Sequence, residues 1–291
     1  MEKIKADLHN HLRTSDKIEP DYFNRAVDKT LENMGSSSAI SIVNFADQRY
    51  EEFMGLKGYD RTYVGREKRA IYVPEKNILF IKGQEIPTKQ GHVLVLGLPA
   101  GKHLKNGRTI EDTLAEARDH GAITVIDHPF YIGSAGYYIE KNQELLGEID
   151  AIEIHNSEAA CYSRPIPGFA NRKAKSFYNR VLKTFPHLGA LSSTDGHSFY
   201  EIGSSWVEIT KPNLEDGSKF LASFKESIRG AKMDAKRENG NQYIGGVDHI
   251  SDLMAYMLAS KVPFLRGLIP QSRYRALRKN ILNPSDSSPY E

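Results

Sequence analysis

The chain has 291 residues, of which 40% are hydrophobic and 26% charged, and its formal net charge is +2. This balance is that of an ordinary folded domain and gives no indication of nucleic-acid binding over the whole surface. The one cysteine, Cys161, excludes an intrachain disulfide, and no apolar run reaches the roughly 18 residues of a membrane span. Because the N-terminal residues include no apolar signal region, we expect a cytoplasmic protein.

Segments typical of strands and of helices alternate along the chain. In chain order we predict a strand at 4–8, a helix at 21–35, strands at 38–45, 77–85 and 92–98, a helix at 109–121, a strand at 122–130, a short helix at 144–149, a strand at 151–157, a helix at 173–185, a strand at 188–198 and a helix at 219–230. Repeated strand–helix units predict mostly parallel strands under helices, hence an α/β barrel or a doubly wound sheet.

Two regions fall outside this alternation. Residues 48–76 are polar, and we expect them to form a surface excursion whose arginines, among them Arg61 and Arg69, are candidates for binding an anionic substrate. From residue 233 onward the chain has a Gly/Asn-rich linker, two predicted helices and a polar tail. We therefore predict one α/β domain at 1–232 and a separate extension at 233–291.

Side chains that bind metals are found where the predicted strands end. These are His9, His11, Glu85, His128, His155, Asp195 and His197, with Asp16 just beyond the first strand. The carboxyl ends of parallel strands converge at one face of a barrel, so we expect these side chains to share a pocket. Each motif alone also fits a turn or a chance pair, but their coincidence favours a metal site. Imidazole and carboxylate ligands suit Zn, Mn or Fe ions.

The motifs, in this order, resemble the PHP (polymerase and histidinol phosphatase) family. The matching segments are D-L-H-N-H-L-R-T-S-D at 7–16, G-Q-E-I around Glu85, G-H-V-L-V-L-G around His92, D-H-P-F around His128, I-E-I-H-N-S around His155 and S-T-D-G-H-S around Asp195 and His197. The resemblance covers roughly residues 4–210. It implies a distorted (β/α)7 barrel and a two- or three-metal phosphoesterase centre; the small helical extension at the C-terminus follows from the pattern after residue 233 and not from the resemblance.

The resemblance also implies which residues hold each ion. The first ion would be bound by His9, His11, Glu85 and Asp195, the second by Glu85, His128 and His155, and the third by Asp16, His197 and a histidine of a T-D-H motif. In this chain Asn44 and Phe45 stand where that motif has Asp and His. Because phenylalanine cannot bind a metal, we predict two divalent ions, with a third ion weakly bound or absent.

The resulting hypothesis is a phosphoesterase that hydrolyses a small phosphate ester of a sugar, nucleotide or amino alcohol, through a hydroxide that bridges the two ions. Glu85 would bridge the ions, and Asp195 or His197 would transfer protons. Arg13 and His92 are candidates for binding the substrate phosphate.

Three alternatives stay open. A nuclease acting on oligonucleotides would use the basic stretch of Arg273, Arg275, Arg278 and Lys279 to contact phosphates. A weakly catalytic metal-binding scaffold would dock a partner or membrane surface through the apolar segment 253–268. An amide substrate would also suit the same ions, because they polarise carbonyl groups. The oligomeric state is not predicted.

Overall fold

The computed structural model describes residues 2–12, 21–45, 47–131, 133–162, 168–197, 199 and 201–231. Arg13, Asp16 and the predicted extension at 233–291 lie outside these ranges. Within them, the strands are β1 (Lys3–Asp7), β2 (Ser38–Asn44), β3 (Thr62–Tyr63), β4 (Ala70–Val73), β5 (Ile78–Thr88), β6 (Gly91–Leu96), β7 (Ile123–Ile126), β8 (Ala151–Asn156), β9 (Gly189–Ser193) and β10 (Val207–Thr210). The helices are α1 (Tyr22–Met34), α2 (Arg49–Gly55), α3 (Ile110–Asp119), α4 (Gly136–Lys141), a 3-10 helix (Gln143–Glu148), α5 (Ser157–Tyr162), α6 (Phe169–Val181) and α7 (Gly217–Gly230).

The strands form one mixed sheet that curls into a nearly closed barrel. Its order is β10-β1-β2-β5-β6-β7-β8-β9. Strands β1, β2 and β5 are mutually parallel, as are β7, β8 and β9. The predicted distorted α/β barrel is confirmed. Its distortion lies in β6 and β10, which run antiparallel to their neighbours.

Strand β6 runs in reverse because a tight hairpin joins it to β5. Thr88 pairs with Gly91 at its tip. Gly91 has φ +127, and a Cβ there would lie 2.4 Å from the backbone nitrogen of Ala135. Only glycine accommodates both this backbone conformation and this close approach. The hairpin places Glu85 in the interior of β5, since the strand continues for three residues beyond the end that the sequence pattern predicted.

The helices cover the outside of the barrel with one apolar face each. At the start of α3, the Thr109 side chain accepts a hydrogen bond from the Asp112 amide at 3.2 Å, as the sequence pattern predicted for this helix. Helix α7 packs Phe220, Phe224 and Ile228 into a buried cluster with strand residues. None of the described helices combines the length and apolar character that crossing a membrane requires.

The expectation of a surface excursion at 48–76 is wrong for much of that region. Tyr50 and Phe53 of α2 are fully buried, and β4 adds a strand antiparallel to β5. The arginines serve the fold: the Arg61 guanidinium lies 3.9 Å from the centre of the Phe23 ring, and Arg69 donates to the carbonyl oxygen of Gly97 at 2.6 Å. The polar composition led to the wrong prediction of an exposed region, because long charged side chains can bury their aliphatic stems against apolar surface.

The barrel closes where the end of β1 meets the segment that follows β9. The Asp195 amide donates to the His9 carbonyl at 2.8 Å, and the His11 amide donates to the Gly196 carbonyl at 2.6 Å. Two residues before His9, the buried Asp7 carboxylate accepts hydrogen bonds from the Thr194 amide at 3.0 Å and from the Thr194 hydroxyl at 2.7 Å. It also accepts one from the Gly203 amide at 2.9 Å. We call this set of contacts the seam.

We expect Asp7→Ala to lower the free energy of unfolding by about 3 kcal/mol, because it leaves buried donors of the seam without an acceptor. Equilibrium denaturation with urea would measure the change. The exposed Asp119→Ala is the matched control and should change stability by less than about 0.5 kcal/mol. Equal stabilities of the two variants would contradict a structural role for the seam carboxylate.

Candidate metal centre

The seam brings both histidines of the H-x-H motif next to Asp195. The Nε2 atoms of His9 and His11 lie 3.1 Å apart. Asp195 Oδ1 lies 3.5 Å from His9 Nε2 and 3.6 Å from His11 Nε2. All three side chains are buried. Two imidazole nitrogens and a carboxylate oxygen therefore face one point inside the barrel mouth.

Glu85 lies between this group and a second one, which contains His128 and Asp127. Its Oε2 lies 2.9 Å from His11 Nε2, while its Oε1 lies 3.3 Å from His128 Nε2. The same His128 nitrogen is 3.7 Å from Asp195 Oδ2 and 3.3 Å from Asp127 Oδ2. The two oxygens of Glu85 thus face imidazoles of two different groups.

Two residues of the centre have left-handed backbone conformations. His128 has φ 24 and Asp195 has φ 59. Such values are uncommon outside glycine and carry a conformational cost. At both positions the unusual backbone accompanies a side chain directed into the centre.

Burial and close charges shift the pKa values of the group. Burial raises the pKa of Asp195 to about 7 and that of Asp127 to about 6. Burial lowers the pKa of His11 to about 4. Burial also opposes the charge of His128, but Asp127 and Glu85 outweigh it and raise the pKa of His128 to about 10. Burial thus makes the charged forms of these carboxyl groups costly unless a cation lies beside them, as the His128 imidazolium does for Asp127.

The donor set fits divalent cations. Three groups have ligand atoms within 4.8 Å of one another: His9, Glu85, Asp127 and His128; His9, His11 and Asp195; and Glu158, Asp195 and His197. Neither oxygen of the buried Asp127 has a hydrogen-bond partner in the described part of the chain. A buried carboxylate is normally paired or bound to a metal. Nitrogen and oxygen ligands of this kind suit Zn, Mn or Fe.

Glu153, which the sequence analysis missed, holds several members of the centre in place. Its Oε1 lies 3.4 Å from His9 Nδ1 and accepts a hydrogen bond from the Ser193 hydroxyl. Its Oε2 accepts from the His128 amide at 2.6 Å. A carboxylate on the far nitrogen of a metal-binding histidine fixes the orientation of the ring. The signal available in the sequence was its position in the predicted strand, two residues before His155.

The structure does not bring His155 into any of the three groups. A register shift between Glu153 and His155 interrupts the regular alternation of β8. His155 is half-buried, and its Nδ1 lies 3.4 Å from the side-chain nitrogen of Asn171. The irregular strand explains why a rule based on alternating side chains does not locate this residue.

His197 and His92 lie at the edge of the centre. His197 Nδ1 is 3.0 Å from the Asp195 carbonyl oxygen and 3.5 Å from Glu158 Oε2, and its ring stacks on that of His11. His92 Nδ1 is 2.6 Å from Glu85 Oε1, with 24% of its side chain exposed. Both residues therefore touch the centre while remaining partly open to solvent. Glu158, on α5, was also missed, because no helix was predicted there.

An apolar side chain, Phe45, stands where the resemblance implies a histidine ligand for a third ion. The Phe45 ring lies edge-on to His11 at 6.0 Å and to His92 at 5.5 Å between ring centres. Asn44 is engaged elsewhere, since it donates to Glu51 Oε2 at 2.9 Å and accepts from the Tyr50 amide at 2.8 Å. With Asp16 outside the described residues, a weak or absent third ion stays a prediction.

No family model matches the chain, and no curated protein is significantly similar to it in sequence. Solved structures do match it. PsfC from Pseudomonas syringae PB-5123 has a TM-score of 0.55 at 18% identity, over 77% of this chain and 89% of that one. The lesion-specific endonuclease PfuEndoQ from Pyrococcus furiosus has a TM-score of 0.51 at 13% identity, over 79% of this chain and 56% of that one. This chain thus matches little more than half of the endonuclease. The likeness shows a shared fold.

If the centre binds divalent ions, removing them should destabilise the protein. A free metal concentration about 100 times the Kd would raise the melting temperature by roughly 5–10 °C over the chelated protein. Differential scanning fluorimetry with EDTA, followed by Mn²⁺ or Zn²⁺, would measure the shift. His11→Ala should reduce it, whereas His120→Ala, at the end of α3, should keep it. An unchanged shift in His11→Ala would argue against this centre as the metal site.

Proposed function

We propose that this protein is a metal-dependent hydrolase of the PHP type that cleaves a small phosphate ester. The observation that carries the proposal is Glu85, whose two oxygens face His11 at 2.9 Å and His128 at 3.3 Å. A carboxylate placed between two sets of ligands is typical of centres that hold a pair of hydrolytic ions. The fold shared with an endonuclease, an enzyme that cleaves phosphate diesters, is compatible with this chemistry.

The proposed centre holds two divalent ions. Their ligands would include His9, His11, Glu85, His128 and Asp195. When bound, such ions lower the pKa of coordinated water and neutralise charge on phosphoryl oxygens. The surrounding protein keeps the ligands oriented through Glu153 and excludes bulk solvent, because the ligand side chains are almost completely buried.

Residues at the solvent-facing edge would handle the substrate. His197, oriented by the Asp195 carbonyl and close to Glu158, would protonate the leaving oxygen. His92 would contact the phosphate, since it touches Glu85 and remains partly exposed. Arg13, outside the described residues, keeps its proposed role in binding the substrate phosphate.

The direct test is hydrolysis of p-nitrophenyl phosphate and of nucleoside monophosphates by chelated protein reloaded with Mn²⁺. We expect metal-dependent turnover that Glu85→Gln lowers at least about 100-fold in kcat/KM, because it removes the charge shared by the two ions. The exposed Glu144→Gln is the matched control and should retain activity. Full activity in Glu85→Gln, or in metal-free protein, would refute the proposal.

The nuclease alternative is supported by the fold that this chain shares with PfuEndoQ. It predicts metal-dependent cleavage of single-stranded oligonucleotides that weakens steeply with salt, through phosphate contacts such as those of the basic residues at 273–279. That stretch lies outside the described residues. Turnover of monophosphates without cleavage of oligonucleotides would exclude this alternative. Metal binding without turnover of either substrate, or of an amide, would favour the scaffold.

A proton donor can be recognised by its dependence on the leaving group. We expect His197→Asn to lower kcat on an alkyl phosphate by about 100-fold or more, and on p-nitrophenyl phosphate by less than about 10-fold. The reason is that p-nitrophenolate leaves without needing a proton. Steady-state kinetics with metal counts on the same samples would measure both. Equal losses on the two substrates, together with a lost ion, would instead identify His197 as a ligand.

A further inference from the structure

Asp127 is a buried carboxylate that the fold leaves without hydrogen bonds. The side chain is fully buried, and neither of its oxygens has a hydrogen-bond partner in the described ranges. Its neighbour is His128, whose Nε2 lies 3.3 Å from Asp127 Oδ2. Burying a carboxylate in this way is strongly unfavourable unless a cation accompanies it. The His128 ring can be that cation only while its Nε2 binds no metal ion, so in a metal-loaded centre Asp127 needs the ion itself as its partner.

The backbone around Asp127 directs this carboxylate and the next side chain to the same place. Neighbouring residues of a strand normally face opposite sides of the sheet. Strand β7 ends at Ile126, and His128 then takes φ 24, while its amide donates to Glu153 Oε2 at 2.6 Å. This turn lets Asp127 and His128 both reach the centre. The backbone departs from regular geometry at the point where two adjacent ligands are required.

The atoms around Asp127 include the other ligands of a second ion, namely His128 and Glu85, which the two sites would share; the one ring nitrogen of His9 that faces the centre belongs to the first ion. Asp127, His128, Glu85 and His9 are all buried, and they offer ligand atoms within 4.8 Å of one another. His155, to which the family resemblance gives a place at the second ion, is half-buried beyond a register shift and belongs to none of the ligand groups among the described residues. We propose that Asp127 is a ligand of the second ion, in the position that the resemblance gives to His155. This inference rests on the proposed two-ion centre.

The exchange changes the chemistry of the second site. A carboxylate replaces an imidazole, so the ligand set gains one oxygen and one negative charge. Oxygen-rich sets suit Mn²⁺, whereas imidazole-rich sets suit Zn²⁺ and other later metals. The two ions would therefore lie in unlike surroundings. Of the two sites, the second should bind Mn²⁺ more readily than the first, which has more imidazole ligands.

Metal counts on purified variants test the assignment without reference to activity. After chelation, reloading with Mn²⁺ and gel filtration, elemental analysis should give two ions per chain for the wild type. Asp127→Asn should retain one, and its affinity for the second should fall at least about 10-fold. His155→Gln is the matched control and should retain two. Two ions in Asp127→Asn, or one in His155→Gln, would overturn the inference.

The outcomes also separate this inference from the proposed function. A wild-type protein that binds no ions would refute the two-ion centre itself, whereas normal counts in Asp127→Asn would refute only the role of Asp127. Crystals of the wild type grown with Zn²⁺ give a second readout that does not depend on any variant folding. An anomalous peak about 2.0–2.2 Å from an Asp127 oxygen is expected. A second ion bound by His155, away from Asp127, would overturn the assignment.

Discussion

The candidate centre depends on the backbone hydrogen bonds across the seam. They join residues that are far apart in the chain, since His9 and His11 follow the first strand and Asp195 follows the ninth. Together with β10, which pairs with β1, they place the H-x-H and D-x-H motifs side by side, although β1 and β9 lie near opposite ends of the strand order. Because the bonds are made by main-chain atoms, they fix the positions of the ligands without using any side chain that the chemistry needs.

Burial of charge is the second constraint, and it explains residues that touch no substrate. The buried carboxylates near the seam differ in the groups that stabilise their charge. Asp7 accepts hydrogen bonds from neighbouring backbone and hydroxyl groups, and Glu153 shares its oxygens among His9, Ser193 and His128. The carboxylates left with imidazoles as their main partners are those that face the centre. The barrel thus satisfies Asp7 and Glu153 mainly by hydrogen bonds, whereas the carboxylates that face the centre lie chiefly beside imidazoles, with one hydrogen bond from Asn156 to Asp195 at 3.1 Å.

The sequence predicted the barrel and most of the centre, because both follow from periodic patterns. Strand ends of a barrel converge, so the pattern alone places His9, His11, His128 and Asp195 together. It does not place Asp127 with them, because regular alternation directs this residue away from its neighbour, and only the left-handed backbone at His128 reverses that. The register shift before His155 is equally invisible to a rule of strict alternation.

The His11 ring lies between two unlike neighbours, Phe45 and His197. One is the edge of an aromatic hydrocarbon ring at 6.0 Å, and the other is the stacked imidazole of His197 at 5.1 Å. His11 is buried, but Phe45 and His197 are partly exposed, so a molecule at this edge of the centre would meet an apolar ring on one side and a hydrogen-bonding ring on the other. Such a surface distinguishes the two ends of an asymmetric ligand, so a phenylalanine at this position would help to orient what binds.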